Sequence, residues 1–330
     1  MKIAYIANQT NCISGASNGI RMQALIWKNA LEKLGHKVDL VDAWNEYNWA
    51  DYDVIHIFGG GGVLDFIQPL YERNKNIILS PIIDTDQSIF KYKLASFWGS
   101  ERLRLVSSNY KLRLVKNKIK RFLARTDYES SFLTNSYGIP KDKVDIIPLS
   151  YRNDMNDEKV DVRKEDFCLH VSSFTQSRKN VMRLIDAAIK YGFKLVIAGS
   201  HGSEKAFEPF KKKIEENKNI EYVGFATDET LKDLYARAKV FALPSTYEGV
   251  GLVALEAAVA GDEIVITNVG GPKEYCSDLA FFVNPYSVDE IGNAVLKAMD
   301  GGKQPQLSKH IVKNYNLDLC VNKLISCYQK

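Results

Sequence analysis

The hydrophobic positions fall into short apolar runs separated by longer stretches with helical spacing, and this alternation recurs along the chain. Residues 3–7 (Ile3, Ala4, Tyr5, Ile6, Ala7) form the first run, and 37–41, 54–58 and 77–79 follow. After the first run, Met22, Leu25, Ile26, Ala30 and Leu34 recur at helical spacing, which predicts a helix ended by Gly35. The pattern restarts at 167–171. From there it predicts helices over 180–191, 209–217, 228–238, 251–259 and 288–299, and strands over 194–198, 220–223, 240–243, 263–267 and 280–283. Strands alternating with helices indicate βαβ units and parallel sheets. The polar, acid-rich stretch 152–161 is the expected linker between two doubly wound halves. Such halves would face each other across a cleft, with ligands at the C-terminal ends of the strands.

Composition narrows this only a little. The chain has 330 residues, comfortable for two domains, with ordinary apolar (45 %) and charged (25 %) fractions for a globular protein. A net charge of +4 gives no argument for a nucleic-acid partner. Five cysteines without a C-x-x-C pair indicate neither a disulfide framework nor a zinc site. No signal-peptide pattern follows Met1-Lys2, and no apolar run reaches the roughly 18 residues that would span a bilayer. The expectation is a cytoplasmic protein with reduced thiols.

The chemistry concentrates in Pro244-Ser245-Thr246-Tyr247-Glu248-Gly249-Val250-Gly251-Leu252 and the helix that follows, with Glu256 eight positions after Glu248. Gly249 and Gly251 let the backbone turn sharply against a ligand. The helix starting near Gly251 would aim free N–H groups at a phosphate or diphosphate. A carboxylate accepts two hydrogen bonds at once, which suits vicinal hydroxyls of a sugar or ribose.

The motif P-S-x-x-E-G-x-G-L-x-x-L-E-A-x-x-x-G over 244–261 resembles the E-x7-E signature of retaining glycosyltransferase family 4 (glycosyl transferases group 1), whose fold is GT-B. Similar matches lie at 219–225, at 171–180, at the Gly270-Gly271-Pro272-Lys273-Glu274 turn and at 137–148. The resemblance implies an α/β protein of two Rossmann-like domains: an acceptor-binding domain over 1–152, a nucleotide-sugar domain over 153–316, and a last helix, 317–330, returning to the first domain. It implies Glu248 on the donor sugar, Glu256 on the ribose hydroxyls, and the 249–252 backbone (Gly249, Val250, Gly251, Leu252) against sugar and diphosphate. Lys179 would neutralise the diphosphate. Ser173 stands where the family usually has an arginine, so Arg178 becomes the candidate replacement. Gly224 and Phe225 would flank the base, with core packing the alternative for Phe225. Gly15 stands for a degraded Gly-Gly pair in the loop after the first strand. Ile83 replaces the family's histidine before Asp84, which is the candidate to meet the acceptor hydroxyl. The glycine run 59–62 permits close backbone approach to a ligand, and His56 reads as a core histidine.

Residues 90–125 carry eleven lysines and arginines, one acid (Glu101) and interleaved aromatics. Docking on an anionic membrane surface is one reading of this pattern and a solvated basic helical face is another; RNA ranks well below both. The function expected is retaining transfer from a nucleotide diphosphate sugar to a glycan or lipid-linked acceptor, without metal or other cofactor, in polysaccharide or glycolipid synthesis. An inverting transferase, an epimerase or a non-catalytic sugar-nucleotide-binding protein remain alternatives at this stage.

Overall fold

The apolar runs become strands, some of them buried along their whole length. Every residue of Val54–Phe58 and Glu263–Thr267 is buried, as expected for parallel strands covered by helices on both faces. The computed structural model describes residues 1–8, 19–100, 102–103, 105–152, 163–173 and 176–330. These fall into two units: Met1–Ile83 with Gln87–Leu149 and Leu317–Lys330, and Asp84–Asp86 with Ser150–Asn316.

The first unit runs β1 (Lys2–Ala7), α1 (Gly19–Lys33), β2 (Lys37–Leu40), β3 (Val54–Phe58), α2 (Ile67–Tyr71), β4 (Ile77–Ser80), α3 (Ile89–Phe97), α4 (Ser108–Val115), β5 (Arg121–Ala124), α5 (Asp127–Tyr137) and β6 (Val144–Ile146). Its described strands form one parallel sheet in the order β2-β1-β3-β4-β5-β6. One core cluster joins Ile55, Ile57, Ile77, Leu79, Phe122 and Phe132.

The second unit runs β7 (Glu165–Val171), α6 (Val181–Tyr191), β8 (Leu195–Ala198), α7 (Glu204–Glu216), β9 (Ile220–Gly224), α8 (Asp228–Arg237), β10 (Ala238–Leu243), α9 (Leu252–Val259), β11 (Glu263–Thr267), α10 (Pro272–Cys276), β12 (Phe281–Val283), α11 (Val288–Met299) and α12 (Gln306–Tyr315). Its sheet order is β12-β11-β10-β7-β8-β9. That is the order of a Rossmann sheet, with the reversal between β7 and β10.

The last helix, α13 (Leu317–Tyr328), is grouped with the first unit. The Tyr328 hydroxyl lies 3.1 Å from the Tyr5 hydroxyl and 2.7 Å from His56 Nδ1, and His56 Nε2 lies 2.8 Å from Ser80 Oγ. Burial pushes the His56 pKa down to about 3, so the ring is neutral.

The stretch 90–125 is broken into α3, α4 and β5, and much of its charge is spent inside the unit. Arg113 donates to Ser96 Oγ and the Ser136 carbonyl, and Lys116 to the Tyr137 carbonyl. Lys111 pairs with Asp65, Lys120 bonds the Asn76 side chain, Arg121 pairs with Asp145 and Arg125 with Glu129. Phe90, Leu94, Phe97, Trp98, Leu103 and Leu105 are exposed instead. Among the described residues, no helix is long and apolar enough to cross a membrane.

Candidate functional site

The site residues collect at the β7/β10 reversal of the second sheet, where the loops after the two strands meet. Their backbones are tied together. Thr246 N–H donates to the Arg178 carbonyl at 2.8 Å. Glu248 N–H donates to the Val269 carbonyl at 3.3 Å, and the Glu248 carbonyl accepts from Gly271 N–H at 3.1 Å. Between these two bonds Gly270 has φ +100°, and a Cβ there would lie 2.0 Å from the Glu248 carbonyl oxygen. Only glycine permits that approach. Asn180 is buried in a left-handed conformation, and its side-chain amide donates to the carbonyls of Pro244 (2.8 Å) and Pro285 (2.6 Å). It pins the motif loop to the start of α6.

Glu248 is buried. Its Oε1 accepts from Lys179 Nζ at 2.6 Å, from Ser245 Oγ at 2.7 Å and from Arg178 Nη1 at 3.4 Å. Behind this cluster His170 is fully buried, with Nδ1 2.7 Å from the Ala242 carbonyl and Nε2 2.7 Å from Ser172 Oγ. Burial lowers its pKa to about 4. The ring is therefore neutral, donating from Nδ1 to the carbonyl and accepting from the serine.

Gly251 enters α9 with φ +82°, and no side chain caps the helix. Ala254 N–H donates back to the Gly251 carbonyl at 2.8 Å, which leaves the N–H groups of Leu252 and Val253 for an outside acceptor. Val250 is buried, while Gly249 and Leu252 are half-buried. Glu256 lies in the second turn and is buried. Arg152 holds it by both oxygens, Nε to Oε1 at 2.7 Å and Nη2 to Oε2 at 3.3 Å, and reaches Asp228 with Nη1 at 2.7 Å. The Tyr235 hydroxyl lies 3.4 Å from Oε2. Burial works against the Arg152 charge, but Glu256 and Asp228 outweigh it and raise the guanidinium pKa. The second unit begins at Ser150, and the fork that Arg152 makes ties that residue to Glu256 and Asp228 within it.

The remaining predicted residues lie elsewhere. Gly224 ends β9 with φ +78°, its carbonyl accepting from Gly199 N–H at 2.8 Å. Phe225 is 76 % exposed, so it is not a core residue. The Ser173 hydroxyl lies 3.5 Å from that of Ser200, and its carbonyl accepts from Gln176 N–H at 3.2 Å. Asp84 is exposed and grouped with the second unit. Gly15 lies outside the described residues, as do Glu101 and Arg104. Arg152, Asn180 and His170 had no assigned role in the sequence. Each acts on a partner 64 or more positions away, and such partners leave no local spacing to read. Among the described residues, no group of three or more His, Cys, Asp or Glu side chains is placed to hold a metal ion.

Comparison with known proteins places this arrangement. Residues 153–315 match the family model described as glycosyl transferases group 1. An uncharacterized glycosyltransferase of Methanocaldococcus jannaschii is 29 % identical over 58 % of this chain, and the chain spans only 55 % of that relative's length. The O-antigen chain mannosyltransferase B of Escherichia coli is 23 % identical over 76 % of this chain and 71 % of its own. The crystal structure of Anabaena HepE in complex with UDP and glucose superposes with a TM-score of 0.74 at 14 % identity, covering 100 % of this chain and 99 % of that one. That likeness establishes the fold as GT-B.

Proposed function

We propose that the chain, whose residues 153–315 match the glycosyl transferases group 1 model, transfers a sugar from a nucleotide diphosphate sugar to a hydroxyl of a glycan or lipid-linked acceptor. The observation that carries this reading is the buried Glu248–Lys179 pair beside the uncapped start of α9. A carboxylate for sugar hydroxyls, an ammonium for diphosphate and a helix N-terminus for developing negative charge stand within one loop system. In this reading Glu248 orients the donor sugar and Glu256 the ribose. Lys179, Arg178 and the α9 N–H groups stabilise charge on the leaving diphosphate, the task a metal ion performs in other enzymes. The anomeric C–O bond to the diphosphate breaks as the acceptor oxygen bonds to that carbon from the same face, and the leaving phosphate oxygen takes the acceptor proton. Transfer therefore retains configuration, and no protein nucleophile is assigned.

Similarity to an O-antigen mannosyltransferase supports a place in surface-polysaccharide assembly, and the complex of HepE with UDP and glucose supports a nucleotide-sugar donor. A lipid-linked acceptor fits the exposed apolar rim of Phe90, Leu94, Phe97 and Trp98 beside Lys91 and Lys93, which suits peripheral contact with an anionic bilayer. Co-sedimentation with anionic vesicles at low salt tests that contact, and absence of binding removes it. The donor assignment is tested by a thermal-shift screen against UDP-, GDP-, ADP- and dTDP-sugars. At 100 times the dissociation constant a true donor stabilises the protein by about 2.7 kcal/mol. If no nucleotide sugar shifts the transition, the proposed function is wrong.

A further inference from the structure

The two strands that flank the site part from each other before they end. β7 stays paired with β8 as far as Val171 and Ala198, and β10 stays paired with β11 as far as Leu243 and Ile266. Between β7 and β10 the pairing stops earlier, at Leu169 and Phe241. Such a reversal leaves a crevice between the strands. The loop on its β7 side carries Lys179 and the loop on its β10 side carries Glu248.

His170 and Ala242 are the first residues past the shared ladder. The His170 ring is fully buried, and it spans the gap where backbone pairing has ceased. Nδ1 lies 2.7 Å from the Ala242 carbonyl oxygen and Nε2 lies 2.7 Å from Ser172 Oγ. A carbonyl only accepts, so Nδ1 carries the proton and Nε2 accepts from the serine hydroxyl. An apolar side chain of the same size would bond to neither partner. A cation would stand beneath Lys179; burial first, and Lys179 after it, push the ring's pKa down to about 4, against the pull of the Ala242 carbonyl and Glu248.

Both ends of this bridge lead to the site. On the β7 side, Ser172 is held from β8 as well: its N–H donates to the Ala198 carbonyl at 3.1 Å, and a Cβ on Gly199 would lie 1.9 Å from the Ser172 carbonyl oxygen. From there Gln176 N–H donates to the Ser173 carbonyl at 3.2 Å and Lys179 N–H to the Gln176 carbonyl at 2.9 Å, so the loop is tied in two steps to Lys179. On the β10 side, Ala242 stands three residues before Ser245, whose hydroxyl donates to Glu248 Oε1 at 2.7 Å. The two loops then meet at the 2.6 Å contact of Lys179 with Glu248.

We propose that His170 is a positioning residue for the donor site: by bridging the parted ends of β7 and β10 it sets the register in which Lys179 and Glu248 meet, and so the place of the donor diphosphate. The proposal rests on the glycosyltransferase reading.

The test is a double-substitution cycle on the full chain. The reaction followed is release of nucleoside diphosphate from whichever of UDP-glucose, GDP-mannose, ADP-glucose and dTDP-glucose shifts the melting transition, with water in the acceptor's place. His170→Phe keeps a ring and loses both bonds, and kcat should fall about tenfold or more. His170→Asn keeps a donor for Ala242 and should recover part of that loss. Ser172→Ala removes one bond from the other end and should lower kcat less than His170→Phe. Thermal stabilisation by the donor is the folding control. A residue that acts through Lys179 has nothing left to position once Lys179 is gone. In the Lys179→Met background, His170→Phe and Ser172→Ala should therefore each lower turnover by less than about twofold further. Losses that multiply with that of Lys179→Met overturn the proposal, because His170 then supports the fold in general. So does wild-type kcat in a folded His170→Phe variant. If His170→Phe loses the donor shift, Ser172→Ala decides, and an unchanged kcat there overturns the proposal. Absence of a shift with any nucleotide sugar in the wild type removes the transferase reading itself, and this inference with it.

Discussion

Replacing Lys179 with methionine keeps the aliphatic stem and removes the charge that faces Glu248. The two side chains are 12 % and 7 % exposed and their charged atoms are 2.6 Å apart. Removing one partner of a buried pair costs about 3–5 kcal/mol when the other charge is stranded. Glu248 is not wholly stranded: Ser245 Oγ remains at 2.7 Å and Arg178 at 3.4 Å. The expected loss is therefore about 1–3 kcal/mol, or a fall in Tm of about 2–12 °C for a domain of this size. Donor-dependent transfer should drop by about 10²–10³-fold, the usual cost of one group that stabilises a developing anion. A second substitution separates the two losses. Adding Glu248→Gln to Lys179→Met removes the stranded carboxylate, so melting should recover most of the lost stability while transfer stays lost. Differential scanning calorimetry of wild type, both single variants and the double variant reads the coupling. The reasoning is refuted if Lys179→Met melts like wild type, or if the double variant is less stable than Lys179→Met.

Three further outcomes follow from the geometry. Gly270→Ala forces a Cβ to within 2.0 Å of the Glu248 carbonyl at a φ of +100°; the motif loop must move, and thermal stabilisation by the donor should be lost while far-ultraviolet circular dichroism stays native. Arg152→Ala takes the two-point fork from the buried Glu256 carboxylate and should cost about 2–4 kcal/mol in urea unfolding, and Arg152→Lys should recover only part because an ammonium cannot make that fork. His170 and His56 have folded pKa values pushed down to about 4 and about 3 from an ordinary 6.5, so the unfolded chain takes up their protons first as pH falls. Their contribution to stability is complete above pH 6.5 and is lost as pH falls toward the folded values, with a limiting slope of about 1.4 kcal/mol per pH unit for each histidine. Urea unfolding at pH 7.0, 6.3 and 5.5 tests this above the range where ordinary carboxylates titrate, and an unchanged slope in His170→Gln/His56→Gln contradicts it.

The second sheet was legible because its strands are short uniform apolar runs punctuated by glycine, and each helix repeats an apolar face. The expected strand 263–267 and helix 288–299 coincide with β11 and α11. The first unit was less legible beyond residue 80. β5 is only four residues and begins with Arg121, and β6 is three residues with Asp145 at its centre. Neither shows a run long enough to stand out, because Arg121 and Asp145 pair with each other inside the sheet edge. The same blindness made 90–125 look more cationic on its surface than it is: the partners that absorb its charge, Asp65, Glu129, Asp145 and backbone carbonyls of α5, lie outside the segment or at its far side. In the motif the sequence identified the two glutamates, and the structure adds what holds them. Arg152 fell in a stretch whose polar composition reads as linker, and its partner Glu256 is 104 positions away.

The two glutamates are eight positions apart, yet the cations that hold them come from different loops and are differently occupied. Arg152 spends Nε, Nη1 and Nη2 on Glu256 and Asp228, so it acts as a clamp that fixes the Glu256 carboxylate and has little left for a ligand. Lys179 spends one bond on Glu248, and an ammonium carries three donors. Under the proposed function it can therefore meet a diphosphate oxygen without releasing Glu248. Arg178 makes the 3.4 Å contact and lies 5.9 Å from the centre of the Tyr247 ring, and its side chain is 34 % exposed, so it is the cation with the most freedom to turn toward an incoming phosphate. The loop is nearly self-neutral, with the buried Glu248 and Glu256 carboxylates answered by Lys179 and Arg152. Under the proposed function, charge balance then favours an incoming dianion only to the extent that Arg178 and the α9 N–H groups are not already engaged, and donor selection would rest on Arg178 and the helix start more than on the glutamates themselves.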